Sequence, residues 1–343
     1  MRRNLLVYGT AVLAALLVGA ALAAGGGADP ATAATALWDG MFGSSYAFGS
    51  ALNAAAVLGL IATGFTVAHR AGLVNVGGEG QLAVGGIAAT AVGVNLPDAT
   101  PAPVALAALL LAGFAGGAAW AGIAAWLRVA RGVNEVITTL LLNFVGTFLV
   151  VLVVHEEGLL RQPVTSADTL PQSAPLAEPA RLPLLGLPES PATLAIVLAA
   201  VGVVVAALVL RRTATGARLS SVGMSEPASA RLGLPVGRLQ GGSLAVAGGM
   251  SGVAGATLVA TVPYVLAEHF TSGYGFTGLV VGLLARGSLT AVAGTSLAFG
   301  LLASGGINLQ LAAGVPASSV QVVQSVLIIC VAGAVIFRKG ATR

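Results

Sequence analysis

The sequence has 343 residues, of which 57% are apolar and only 8% charged, with a mean hydropathy of +0.95. About 25% charge is usual in a soluble domain, so this chain lacks the polar surface that a water-soluble fold of its size needs. The surplus apolar area calls for lipid, and the expected fold class is all-α: a polytopic helix bundle in the cytoplasmic (inner) membrane.

The 48 glycines fit that solvent, because small residues let helices approach where no hydrophobic force draws them together. A net charge of +4 does not imply a nucleic-acid partner here, because the basic residues sit at the ends of apolar segments. The single cysteine, Cys330, excludes an intrachain disulfide.

A membrane span requires ~20 apolar residues. In chain order the candidates are 5–24, 48–68, 76–96, 104–127, 136–154, 192–210, 242–262, 276–285, 289–307 and 320–337. The eighth is too short to cross alone and reads as a half-helix or broken segment. With the N-terminus inside, all but Arg161 and Arg181 of the 16 basic residues fall on the inner side. That is the positive-inside arrangement, and it puts both termini in the cytoplasm. Omitting the eighth crossing would move Arg338, Lys339 and Arg343 outside, so it is kept. The first segment also fits a signal peptide cleaved after Ala21-Leu22-Ala23, although an uncleaved anchor is preferred.

Residues 1–343 thus form one transmembrane domain with two hydrophilic interruptions. The outer one, 155–191, holds seven prolines and no apolar periodicity, so it reads as an irregular cap or flexible loop. The inner one, 211–240, contains a punctuated helix. Ser225 is its N-cap, Glu226 and Pro227 occupy the first turn, Arg231 the last, and Gly233 and Pro235 end it. Ala228, Ala230 and Leu232 give this helix a small apolar face. A faint echo relates 63–86 to 277–300, as in transporters with inverted repeats.

Polar groups at membrane depth are a functional hypothesis by default. The sharpest cluster is Asn75-Val76-Gly77-Gly78-Glu79-Gly80-Gln81, where glycines around an acid permit an unwound backbone. One reading lines the translocation path, with Asn75, Gly77, Glu79 and Gln81 offering hydrogen bonds to a polar solute. The other is structural: Glu79 caps neighbouring backbone or pairs with Arg70. Asn134 and Asn143 extend the candidate path, yet Asn134 or Glu135 also suits the start of the fifth helix. Asn143 lies deeper and needs a partner in the bundle or a solute.

Other chemistry lacks its equipment. The sole lysine, Lys339, has no P-loop around it, and His69, His155 and His269 are scattered without metal-ligand spacing. No cofactor is expected in this chain. A secondary transporter or channel and an intramembrane enzyme remain the rival readings, although no catalytic constellation is visible.

Four stretches together resemble a known family. They are Arg70-Ala71-Gly72-Leu73-Val74-Asn75-Val76-Gly77-Gly78-Glu79-Gly80-Gln81, then Arg131-Gly132-Val133-Asn134-Glu135-Val136-Ile137-Thr138-Thr139. Next comes Thr215-Gly216 through Val222-Gly223 to Gly233, and last Tyr274-Gly275-Phe276 through Leu284-Ala285-Arg286-Gly287. The chain resembles permease subunits of ABC importers for ribose-type sugars, branched-chain amino acids and nucleosides, with the nearest likeness to nucleoside permeases. The likeness runs from about residue 52 to 332. It implies a second permease subunit, expected to be a paralogue, and ABC ATPase subunits that bind ATP-Mg. It also implies an extracytoplasmic solute-binding lipoprotein. The ATPase coupling contact would fall on Ser225, Glu226, Ala228, Ala230, Arg231 and Leu232. Gly78 departs from the usual residue, and the Pro-rich outer loop has no counterpart.

Overall fold

The computed structural model describes residues 29–163 and 170–314, with Ala24 and Val322 besides. The expected first and tenth segments therefore lie outside the described residues but for those two positions. The described helices are α1 (Pro30–Phe42), α2 (Ser45–Arg70), α3 (Gly78–Gly93), α4 (Ala102–Arg131), α5 (Glu135–His155), α6 (Ala195–Arg212), α7 (Ala214–Met224), α8 (Glu226–Arg231), α9 (Val236–Val259), α10 (Tyr274–Ala285) and α11 (Leu289–Ala313). Extended pairing among the described residues is confined to isolated bridges.

Six helices, α2, α4, α5, α6, α9 and α11, are long and apolar enough to cross a membrane. They match six of the expected spans. The eighth expected segment is α10, whose 12 residues reach about 18 Å against a ~30 Å hydrocarbon core. The third requires correction. It was expected as a full span over 76–96, but α3 has only 16 residues, or about 24 Å. Its entry is non-helical because side chains bond the backbone there. Thr139 Oγ1 accepts from the Val76 N–H at 3.2 Å, and Asn143 Nδ2 donates to the Val76 carbonyl at 2.8 Å.

Two helices arise where loops were expected. Asp29 caps α1 by accepting from the Thr32 N–H and hydroxyl, both at 3.0 Å, and Pro30 occupies its first turn. Those bonds hold the Asp29 carboxyl below the usual carboxylate range. Thr213 likewise caps α7, accepting from the Gly216 N–H at 3.3 Å.

The chain divides into two compact units, with boundaries inside α2, inside α11 and at two points of the outer loop before α6. The smaller comprises residues 1–55, 185–192 and 297–343; the larger comprises 56–184 and 193–296. In the smaller unit, Asn308 Nδ2 donates to the Ala36 carbonyl at 2.7 Å and ties α11 to α1. Ser304 Oγ donates to the Ala47 carbonyl at 3.0 Å and ties α11 to α2.

In the larger unit α5 inverts the amphipathic pattern of a soluble helix. Ile137, Leu141, Phe144 and Phe148 are exposed, whereas Glu135, Thr139, Asn143 and Gly146 are buried. Apolar outside and polar inside is the arrangement that suits a hydrocarbon solvent. Its interior packs through glycines. Gly113 and Gly117 of α4 face Gly248 and Gly252 of α9, and a Cβ built on Gly252 would overlap the Gly113 carbonyl. These paired small-xxx-small repeats let two backbones meet directly.

The outer loop is better anchored than its prolines suggested. Ser173, Leu176, Ala180 and Leu182 are buried. The N–H groups of Ser173, Leu176 and Leu182 donate to the carbonyls of Leu266, Tyr264 and Ala260. The Arg181 guanidinium lies 4.9 Å from the Tyr264 ring centroid. Residues 170–184 thus form an irregular but pinned cap on the segment that follows α9.

Substitution Gly252→Val should force α4 and α9 apart, lowering stability by about 1–3 kcal/mol as for overpacked cores. Gly122→Ala, where a Cβ meets nothing within 4 Å, should be neutral or slightly stabilising. Thermal unfolding of the two variants in detergent checks the contrast.

Candidate functional site

The glycine-rich stretch enters the larger unit as a non-helical segment, 71–77, between α2 and α3. Asn75 and Gln81 clasp each other: Asn75 Nδ2 donates to Gln81 Oε1 at 2.8 Å, and Gln81 Nε2 donates to Asn75 Oδ1 at 2.9 Å. The Gly77 N–H donates to Asn75 Oδ1 at 3.0 Å. The Gly80 N–H donates to Asn143 Oδ1 at 2.9 Å, fixing α3 to α5. Both backbones can come this close only because Gly80 and Gly146 lack side chains; a Cβ on Gly146 would meet the Gly80 Cα at 2.7 Å.

Glu79 is 4% exposed and reaches the start of α10. Its Oε1 accepts from the Gly273 N–H at 3.0 Å and its Oε2 from the Gly275 N–H at 2.7 Å. A helix start leaves backbone N–H groups without intrahelical partners and carries partial positive charge, and a carboxylate answers both. The α3 start lies against the same point, because a Cβ on Gly275 would overlap the Glu79 backbone. Two helix N-termini thus converge on one acid.

Of the expected path residues, Asn75, Gly77, Glu79, Gln81 and Asn143 come together in this knot. Asn134 does not share it: it is exposed and caps α5, accepting from the Val136 N–H at 2.8 Å. Pairing of Glu79 with Arg70 is replaced by backbone capping, and Arg70 Nη2 instead donates to the Gly287 carbonyl at 3.5 Å. Arg286 is an exposed, left-handed residue that ends α10.

The inner loop is bolted to the same knot. Ser225 Oγ caps α8, accepting from the Ala228 N–H at 3.3 Å. Glu226 lies 3.6 Å from Arg128, which lies 3.6 Å from Glu135. Gln240 Nε2 also donates to Glu226 at 3.3 Å. Glu135 in turn accepts from the Val74 N–H at 3.3 Å, at the head of the segment leading to Glu79. Gly223 packs on the α2–α3 turn, where a Cβ would overlap the Arg70 carbonyl. Ser229 is buried, whereas Ala228, Ala230 and Arg231 are exposed. Met224 and Leu232, flanking α8, are 81% and 80% exposed.

Sequence reading missed Arg128 as the link between Glu226 and Glu135, for which spacing gives no signal. It also missed Gly273 and Gly275 as the partners of Glu79, although Tyr274-Gly275-Phe276 lay within a recognised stretch. An open pocket of about 590 Å³ in the smaller unit, with mixed polar and apolar walls, went unnoticed too. Its walls include Asp39, Tyr46, Ser304 and Asn308 beside Ile307 and Leu311, spread over α1, α2 and α11.

Residues 47–332 match the family model for the permease component of branched-chain amino acid transport systems. The chain is 35% identical to the glucose ABC transporter permease protein TsgB13 of Haloferax volcanii, over 94% of this chain and 87% of that protein. It is 29% identical to the guanosine ABC transporter permease protein NupP of Bacillus subtilis, over 98% and 95%. It is 26% identical to the nucleoside ABC transporter permease protein NupB of Lactococcus lactis subsp. cremoris, over 96% and 91%. No solved structure matches the chain.

Replacing Glu79 with Gln would turn one carboxylate oxygen into an amide donor facing a backbone N–H. Leaving such a buried donor unmet costs about 1–3 kcal/mol, so Glu79→Gln should lower the unfolding temperature and loosen the start of α10. Unchanged unfolding and unchanged protease resistance around residue 273 would show that the carboxylate is not what holds α10.

Proposed function

The chain belongs to the family of permease components that serve branched-chain amino acid and related transport systems, and on that premise we propose that it conducts nucleosides in an ATP-driven importer. It is a multi-pass membrane protein, the permease component of an ABC system for small-solute uptake. Permeases of this family operate with ATPase and solute-binding partners.

The observation that carries the ATP-driven reading is the surface around α8. Its polar side chains are consumed inward: Ser225 caps, Glu226 pairs with Arg128, and Ser229 is buried. What remains outward is Arg231 in the last turn and an apolar set, with Met224 and Leu232 flanking Ala228 and Ala230. Arg231, with Arg218 and Arg238 on the adjoining helices, keeps this loop out of hydrocarbon. A short helix with apolar residues bared to water suits docking in a groove of another protein. The reading makes that protein an ATPase subunit holding ATP-Mg on the cytoplasmic side, consistent with cytoplasmic termini and an inner-membrane location. The second permease subunit would be a paralogue, and a lipoprotein would deliver solute from outside.

Movement of α8 would pass through Arg128 and Glu135, and through the Gly223 contact, to the 71–77 segment that bears Glu79. The knot would then act on the path as a rigid piece that shapes it, not as a set of free hydrogen-bonding groups. The nucleoside assignment rests on the Asn75–Gln81 stretch and on the two relatives named for guanosine and nucleoside transport. Glucose is the competing solute, from the relative named for it.

Ala228→Asp with Ala230→Asp should place charge in an apolar contact, at more than ~2 kcal/mol per unpaired buried group. The variant should insert normally, yet lose ATPase co-purification and most uptake. Labelled guanosine uptake by the wild-type complex should be blocked by excess unlabelled nucleoside and not by glucose. Full uptake by the double variant would favour a secondary transporter, and competition by glucose alone would overturn the nucleoside assignment.

A further inference from the structure

An apolar groove of about 390 Å³ runs between α2, α6, α7 and α9 of the larger unit. Its walls include Val205 and Val209 of α6, Leu219 of α7, and Gly242 and Val246 of α9, with Arg238 at one end. Along α9 it extends from Arg238 to Met250, a rise of about 18 Å of helix. That is close to the depth of one leaflet of a ~30 Å hydrocarbon core.

The charge pattern is one-sided. Arg211 and Arg212 follow directly on Leu210, a wall residue, at the end of α6, and Arg218 precedes Leu219. All four arginines are exposed, and among the described residues none of them enters an ion pair. An apolar slot of leaflet depth that opens at a cluster of unpaired cations matches a lipid with one buried chain and an anionic head. We propose that this groove holds an acyl chain of an anionic bilayer phospholipid, with Arg238 receiving its phosphate. Arg238 lies in the first turn of α9 and Leu219 in α7, so the bound lipid would brace both helices that flank α8.

Gly242 supplies the test. A Cβ there meets nothing within 4 Å, so Gly242→Leu fills the slot without a backbone clash. Native mass spectrometry of the purified complex, loaded from mixed vesicles of phosphatidylglycerol and phosphatidylcholine with matched chains, reads the outcome by binding alone. It is therefore independent of whether the solute is a nucleoside. The wild type should retain phosphatidylglycerol in preference to phosphatidylcholine. Arg238→Gln should cut that preference about fivefold, the worth of one surface cation toward an anionic headgroup. Gly242→Leu should reduce retention of both lipids. Equal retention of the two lipids by the wild type would overturn the assignment, as would wild-type lipid retention by Gly242→Leu. Should Gly242→Leu fail to assemble, an unchanged preference in Arg238→Gln would still overturn it.

Discussion

The carboxylate of Glu79 sits where two helices begin, and the arrangement of the larger unit depends on it. Lipid supplies no water to a helix start, so every exposed N–H there must find a protein acceptor. Two short helices that begin against each other double the difficulty, because both present positive dipole ends. One buried acid, with an oxygen for Gly273 and another for Gly275, resolves it. The contact also demands glycine at 275, where any side chain would enter the Glu79 backbone. Acid and glycines therefore form a single requirement.

Around that point every polar group of the knot is spoken for. Asn75 and Gln81 satisfy each other, and Asn143 closes the α3 entry. Fully satisfied buried networks rigidify and specify one geometry. A rigid knot joined to an exposed helix through Arg128 and Glu135 gives a physical route between the inner loop and the starts of α3 and α10. Continuity of contact is not itself coupling; coupling requires that the two ends favour different arrangements of the same element.

Much of this was legible in the sequence, for reasons that differ by element. The full-length spans declare themselves by apolar length, and α8 by its cap, proline and glycine, signals that act locally. Low hydropathy contrast hid α1 and α7, which are short and begin at caps with no apolar run behind them. The start of the third span was misread because its entry is set by Thr139 and Asn143, more than sixty positions away. The glycines and polar residues at 75–81 marked the right place, yet not their partners. Whether Glu79 meets a solute or a helix start depends on the distant segment at 273–275, which no local pattern reveals.

The amide exchange of Gly273 and Gly275 in the wild-type complex, followed by hydrogen–deuterium exchange in lipid nanodiscs, tests the Glu79 clamp most directly. If the carboxylate holds the two helix starts together, the Gly275 amide should exchange on the slow timescale of the buried α4–α9 interface. Exchange as fast as that of an exposed loop would contradict the clamp, and with it the rigid knot on which the coupling route depends.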